Sequence, residues 1–216
     1  MGNTALSADS SMKDLGIHFH GNLKFDIHIA KITSSANSKL GIIKYVFHNL
    51  DKEGFLTLYK SKVRPILEYG SPIWYPNLKK HEKKIESIQR RATKMIRDLG
   101  YLSYQDRLRV LKLPTLFYRR KRTDLIQVFK IIKKFDQIDG DRFFTYDMGI
   151  TRRNNELKLY KPRSEKSIKQ HSFSHRIVND WNDLTNKVTG ASTINSFKAA
   201  LEVEWKNKEF KYHFQF

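Results

Sequence analysis

The segment Asn77–Gly100 reads NLKKHEKKIESIQRRATKMIRDLG, and its spacing decides the fold class. Leu78, Ile85, Ile88, Ala92, Met95, Ile96 and Leu99 fall on one stripe of an α-helix. Asn77 stands at the N-cap place and Gly100 at the C′ place. On the side opposite the stripe, Lys79, Lys83, Arg90, Lys94 and Arg97 share an arc of roughly 60°, flanked by Lys80, Lys84 and Arg91. Lys79/Lys83, Lys80/Lys84 and Arg90/Lys94 are like-charge neighbours at i,i+4, each costing about 0.2–0.5 kcal/mol. Within the segment, Glu86 toward Arg90 and Asp98 toward Lys94 offset them. Such a face is either a phosphate-binding surface or an ordinary solvated one.

The same helical period extends in both directions. Asp26 reads as an N-cap ahead of Ile29, Ile32, Ala36, Leu40, Ile43, Phe47 and Leu50, and Asp51 as the cap of a second helix with Phe55, Leu58, Tyr59, Val63 and Ile66 inward. Pro65 must kink that helix or end its regular ladder. YGSPIWYP (Tyr69–Pro76) is a punctuated turn with Trp74 in the core. Beyond Gly100, Ser103 and Asp106 suggest a cap for a short helix, and Leu113-Pro114-Thr115 starts a longer one over 116–134. From 135 to 170 the signal weakens to an Asp139-Gly140-Asp141 turn and a short strand at Leu157/Leu159. Two helices close the chain, one carrying Phe173, Ile177, Trp181 and Leu184, the other Phe197, Leu201 and Trp205. Toward the start, Leu15, Ile17 and Phe19, then Gly21-Asn22, then Leu23 and Phe25 predict a β-hairpin over 13–25. Residues 1–12 read as a disordered leader. The expected class is mainly α: a short N-terminal hairpin, a three-helix unit over 26–100 and a helical extension over 101–216.

Composition adds exclusions. The chain has 216 residues, 41 Lys plus Arg against 22 Asp plus Glu, and a net charge of +19. Lys79–Lys134 holds 18 basic and 5 acidic residues and Arg142–Arg176 holds 9 and 3, so these two stretches carry the whole surplus. A localised excess of that size points to a polyanionic partner. No cysteine is present, which removes disulfides, thiol nucleophiles and zinc knuckles. No apolar run approaches the roughly 20 residues that span a bilayer, and the N-terminus lacks the order of a signal peptide. The expectation is an intracellular protein that does not engage membranes.

Chemistry is harder to find than charge. There is no Walker A loop, G-x-S-x-G elbow or H-E-x-x-H, and no two acidic residues are adjacent. His171 and His175 lie at i,i+4 without an evident third ligand, and His18 and His20 alternate along a strand toward solvent. The run Arg119-Arg120-Lys121-Arg122 points all round its helix and suits either phosphate contact or a nuclear-import signal. Tyr101, Tyr104 and Tyr118 are candidates for stacking on bases or for the core.

Seven segments in order carry a family likeness: KDLGI (Lys13–Ile17), LYKSKVRPILEYGSPIW (Leu58–Trp74), IQRRATKMI (Ile88–Ile96), YQDRLRVLKLPTLFYRRKRTDL (Tyr104–Leu125), ITRRNNELKL (Ile150–Leu159), FSHRIVNDWNDL (Phe173–Leu184) and INSFKAAL (Ile194–Leu201). Together they resemble the C-terminal third of reverse transcriptases of jockey-like, LINE-type non-LTR retrotransposons. The resemblance implies that KDLGI, with Leu15 and Gly16, is the primer-grip element, that 26–100 is the thumb that tracks a template–primer duplex, and that the rest is the post-thumb region. It places the fingers and palm, with the catalytic aspartates and their Mg²⁺ ions, upstream, so no cofactor is expected in this chain. At Thr151-Arg152-Arg153-Asn154 the chain departs from the TRGH-like sequence of the family. The implied partners are RNA, DNA or their hybrid, with an upstream fingers–palm polypeptide, and the nucleus is the implied place of action. Lys79, Lys83, Arg90, Lys94 and Arg97 are the expected phosphate contacts, with Arg119–Arg122 second. The rival readings are a piece of an active RNA-directed DNA polymerase and a non-catalytic protein-interaction remnant.

Overall fold

Two left-handed residues turn the start of the chain back on itself. In the computed structural model, which describes residues 11–47, 50–147 and 157–216, Leu15 and Gly16 have φ of +43° and +84°. Positive φ at both central residues is what a two-residue type I′ hairpin turn requires. They join β1 (Ser11–Asp14) to β2 (Ile17–His20), antiparallel, with Asp14 opposite Ile17. The expected hairpin therefore exists with a different turn. Gly21-Asn22 instead makes a corner, in which the Asn22 side chain accepts from the Lys24 N–H at 2.9 Å. Ser11 and Met12 belong to β1 and not to a leader, while residues 1–10 lie outside the described residues. Ile17 is buried and Phe19 and Phe25 pack on the core, so of the five apolar residues predicted for the hairpin Leu15 and Leu23 are left in solvent. His18 and His20 are half-buried.

Next come α1 (Asp26–Val46), α2 (Lys52–Leu58), a π-turn over Tyr59–Val63, α3 (Arg64–Glu68) and the short α4 (Ser71–Trp74). Asp26 is the first residue of α1 and not its cap; its carboxylate stands 2.8 Å from His81 Nε2. Asp51 does cap α2, accepting from the Gly54 N–H at 2.9 Å. The ladder accommodates Pro65 by widening just before it, where the Arg64 N–H reaches back five residues to the Tyr59 carbonyl. Gly70 has φ +64°, and a Cβ there would lie 2.7 Å from Ile17 Cδ1. Only glycine lets the chain pass the hairpin this closely. Trp74 is fully buried and its indole N–H donates to the Tyr69 carbonyl at 2.6 Å.

The charged helix is α5 (Lys79–Lys94), shorter at both ends than its sequence suggests. Leu78, not Asn77, precedes it, makes no side-chain cap and is exposed. At the other end Asp98, at φ +62°, takes the left-handed place expected of Gly100. The early stop has a physical cause in α6 (Tyr104–Val110). From it the buried Arg107 guanidinium donates to the carbonyls of Leu102 (2.5 Å) and Arg90 (3.4 Å) and to Thr93 Oγ1 (3.1 Å). A cation closes the carbonyl end where a glycine was expected. Ser103 caps α6 and Thr115 caps α7 (Leu116–Ile132), as their spacing predicts.

Past a 3₁₀ turn over Gly140–Arg142, capped by the Asp139 side chain, the predicted Leu157/Leu159 strand reduces to a single bridge between Tyr146 and Leu159. Asn182 takes the place of a partner strand, its amide bonding both the N–H and the carbonyl of Leu159 at 2.9 Å. The penultimate helix divides into α8 (Ser167–His171), α9 (Phe173–Arg176), α10 (Val178–Asn182) and α11 (Asn186–Thr189); Ser172 and Thr185 adopt extended backbone at the first and last breaks, while Ile177 between α9 and α10 keeps helical φ and ψ. α12 (Ile194–Glu204) begins with a capping box between Thr193 and Ser196. Among the described residues no helix is long and apolar enough to cross a membrane.

The core forms two clusters that meet on α7. Ile17, α1, α2–α4, α5 and α6 pack around Leu40, Val63, Trp74 and Ile85, as far as Leu116; Tyr118, Leu125 and Phe129 pack with Trp181, Phe197 and Trp205. A polar chain crosses the junction. Tyr59 donates to Gln89 Oε1 (2.8 Å), Gln89 Nε2 donates to Tyr104 (3.3 Å), and Tyr104 donates to Glu86 Oε1 (2.6 Å). Glu86, fully buried, also accepts from the N–H groups of Leu116 (3.2 Å) and Phe117 (3.3 Å), the first two residues of α7. Burial pushes its carboxyl above the usual carboxylate range, against the Tyr104 bond, the Arg120 charge and the two backbone donors.

Glu86→Ala should therefore cost about 3–5 kcal/mol in a urea melt, leaving the Tyr104 hydroxyl and the Leu116 and Phe117 N–H groups without this acceptor and Arg120 with only Glu82 and Asp124 nearby. Glu86→Gln, which keeps one acceptor, should cost about 1–3 kcal/mol. A pH dependence follows from His28, buried against Trp74 with Nδ1 accepting from the His18 N–H at 3.4 Å. Burial first, and the neighbouring His18, lower its pKa to about 4. Between 6.5 and about 4 the unfolded chain holds a proton that the native chain does not, so stability falls as pH falls through that window. The urea midpoint should drop less between pH 7 and pH 5 in His28→Asn than in the parent.

Candidate nucleic-acid interface

On α5 the burial pattern separates cleanly by face. Ile85, Glu86, Ile88, Gln89, Ala92 and Thr93 are buried, whereas Lys79, Lys80, Lys83, Lys84, Arg90, Arg91 and Lys94 are exposed, as is Arg97 beyond the helix end. Glu86, which the sequence places as a surface counter-charge to Arg90, points into the core, and Asp98 makes no ion pair among the described residues. The eight cations likewise form no ion pair among the described residues. Their polar contacts are modest: Arg91 donates to Asn37 Oδ1 at 3.2 Å, and the Arg90 guanidinium lies 4.6 Å from the Phe216 ring centre. Lys79 to Lys94 spans about 22 Å at the rise of an α-helix, or about six phosphate steps along one strand of a duplex.

Arg119–Arg122 is a different case and a correction. Arg119 grips Glu68 through both carboxylate oxygens, with Nη2–Oε2 at 2.9 Å. Lys121 pairs with Asp180 at 2.5 Å, and Arg122 approaches Glu202 at 3.8 Å. Arg120 is buried near the Tyr75 ring, and its guanidinium has no hydrogen-bond partner among the described residues. Because α7 is packed on most sides, a run that points all round its axis points mainly into protein. Asp124, one turn on, pairs with Arg176, and burial raises its pKa to about 6 against that attraction.

The remaining candidates also resolve. Tyr118 is core and the Tyr104 hydroxyl is committed to Glu86, while Tyr101 is exposed. His175 Nε2 lies 3.0 Å from the Pro162 carbonyl and His171 is exposed; among the described residues no three His, Cys, Asp or Glu side chains group as a metal site. Thr151–Asn154 lies outside the described residues. Leu15 and Gly16 form the hairpin tip, where the Leu15 carbonyl accepts from the Tyr69 hydroxyl at 3.0 Å.

No family model matches the chain, and neither a curated protein nor a solved structure is significantly similar to it.

Residues missed in the sequence stand beside the basic face: Phe117, Phe210 and Phe214 line a cleft with Lys79 and Lys83. The aromatic-rich FKYHFQF (Phe210–Phe216) was the available signal, but nothing local says that it folds back onto α5. Arg119→Ala should lower stability by about 1.5–3 kcal/mol through its lost charged hydrogen bonds, while Lys83→Ala should stay within about 0.5 kcal/mol. Parallel urea melts of the two variants check the contrast.

Proposed function

We propose that this chain binds a nucleic-acid duplex, foremost an RNA–DNA template–primer duplex, through the solvent face of α5. In this reading it is the primer-grip, thumb and post-thumb part of a LINE-type reverse transcriptase. The observation that carries the proposal is the row of exposed cations on α5, none of them in an ion pair among the described residues, although the Glu82 carboxylate stands near Lys79. Four like charges held on one rigid helix, with Arg97 just beyond its end, repel one another in the free protein, and phosphates relieve that repulsion while releasing condensed counterions. The segment likeness supports the same face, because it makes α5 a thumb helix. Leu15 and Gly16 then present the hairpin tip to the primer.

The contacts are to phosphate, so they position the duplex without reading bases. The reading assigns no chemical step to this chain: the polymerase carboxylates and their Mg²⁺ ions belong to an upstream fingers–palm unit, and the work is done on chromosomal targets in the nucleus. Arg119–Arg122 have no part in the proposed interface, since Arg119, Lys121 and Arg122 are paired with acids of the fold and Arg120 is buried.

Fluorescence anisotropy with RNA–DNA and DNA duplexes at several salt concentrations tests the proposal. With Lys79, Lys83, Arg90, Lys94 and Arg97 each neutralising one phosphate, log K should fall against log salt with a slope of about −4.5. Reversing the five charges should abolish binding. A flat salt response, or unchanged affinity in the reversed variant, would sink the idea.

A further inference from the structure

The end of the described chain crosses back over the start of α5 and is fixed there by Thr115. The Thr115 N–H donates to the Lys211 carbonyl at 2.8 Å and its hydroxyl to the Phe210 carbonyl at 2.7 Å. Between this segment and α5 lies a cleft of about 300 Å³. One wall is Lys79, Glu82 and Lys83; the other is built from half-buried rings, with Phe117 edge-on to Phe210 (5.9 Å) and Phe214 (6.4 Å). Lys121 Nζ lies 5.5 Å from the Phe117 ring, behind the aromatic wall, with its charge paired to Asp180.

Aromatic faces beside lysines are the combination that holds an unpaired base and its phosphate. The volume sits at the lower end of the range for small-molecule sites, too small for a duplex. Glu82 and Glu209 also line the cleft. Carboxylates accept from exocyclic base amines, so these two suit the base end of a nucleotide and the lysines its phosphate. Because Lys79 and Lys83 belong both to this wall and to the exposed row on α5, the cleft opens at one end of the phosphate-binding face.

We propose that the cleft takes one unpaired nucleotide flanking the bound duplex, its base against Phe117 and Phe214 and its phosphate toward Lys79 and Lys83. The inference rests on the duplex reading and specifies its substrate: a duplex with a single-stranded overhang.

The test compares a blunt RNA–DNA duplex, the same duplex with a three-nucleotide overhang carrying 2-aminopurine, and a six-nucleotide single strand carrying the same probe. The overhang duplex should bind at least about fivefold tighter than the blunt one. Phe214→Ala and Phe214→Leu, the second keeping apolar volume, should remove that preference and the probe's fluorescence change while leaving blunt-duplex affinity and its salt slope intact. Equal affinity for the two duplexes, or a preference that survives both variants, overturns the cleft. If the blunt duplex fails to bind while the single strand still gives a Phe214-dependent fluorescence change, the duplex reading falls and the cleft stands.

Discussion

A buried carboxylate on the inner face of the most basic helix holds the two halves of the molecule in register. Glu86 lies on α5, yet it terminates the N-terminal end of α7 by accepting from Leu116 and Phe117. An unsatisfied helix start and a desolvated anion are each costly alone, and together they compensate. Tyr104, Gln89 and Tyr59 extend the compensation into the first cluster, and Arg120 answers the negative charge from one turn inside α7. With Glu86 fixed inward, the rotation of α5 about its axis is fixed as well. Lys79, Lys83, Arg90 and Lys94 must then face outward, so the same contact that builds the core also aims the basic surface.

The distribution of charge looks different in three dimensions than along the chain. By sequence, Lys79–Lys134 is one strongly basic block. Folded, its C-terminal portion is answered by acids drawn from the neutral remainder: Glu68 for Arg119, Asp180 for Lys121 and Glu202 for Arg122. Similar residues a few turns apart thus divide into structural cations on α7 and free ones on α5. What separates them is which helix has solvent on one side.

Features whose physics is local were legible beforehand. Asp51, Ser103 and Thr115 cap helices through donors three residues on, so the pattern and the interaction occupy the same few positions. The apolar stripes of α1 and α5, apart from the exposed Phe47 and Leu78 at their ends, and the burial of Trp74 follow from the same short-range rules. What escaped depends on distant partners. Nothing near Gly100 announces that Arg107 closes α5, and nothing near Glu86 says that its donors lie some 30 residues on. The hairpin turn was misplaced because Gly21-Asn22 has the stronger turn chemistry. Leu15 accepts a left-handed backbone where its carbonyl is held by Tyr69, far along the chain. The aromatic wall of the cleft belongs to the same class, made by a terminal segment folded onto the helix.

The Arg107 clamp has an entropic consequence. With Glu86 tied to α7 along its flank and Arg107 holding the Arg90 carbonyl and the Thr93 hydroxyl near its end, the backbone of α5 is ordered before any ligand arrives. Association then requires little further loss of main-chain freedom. In the proposed duplex-binding reading, what remains to be restrained are the long lysine and arginine side chains, whose freedom would let one rigid face follow duplexes of differing groove width. The helix acts as a stiff bar with soft bristles: its shape is settled on folding, and only the bristles adjust on binding.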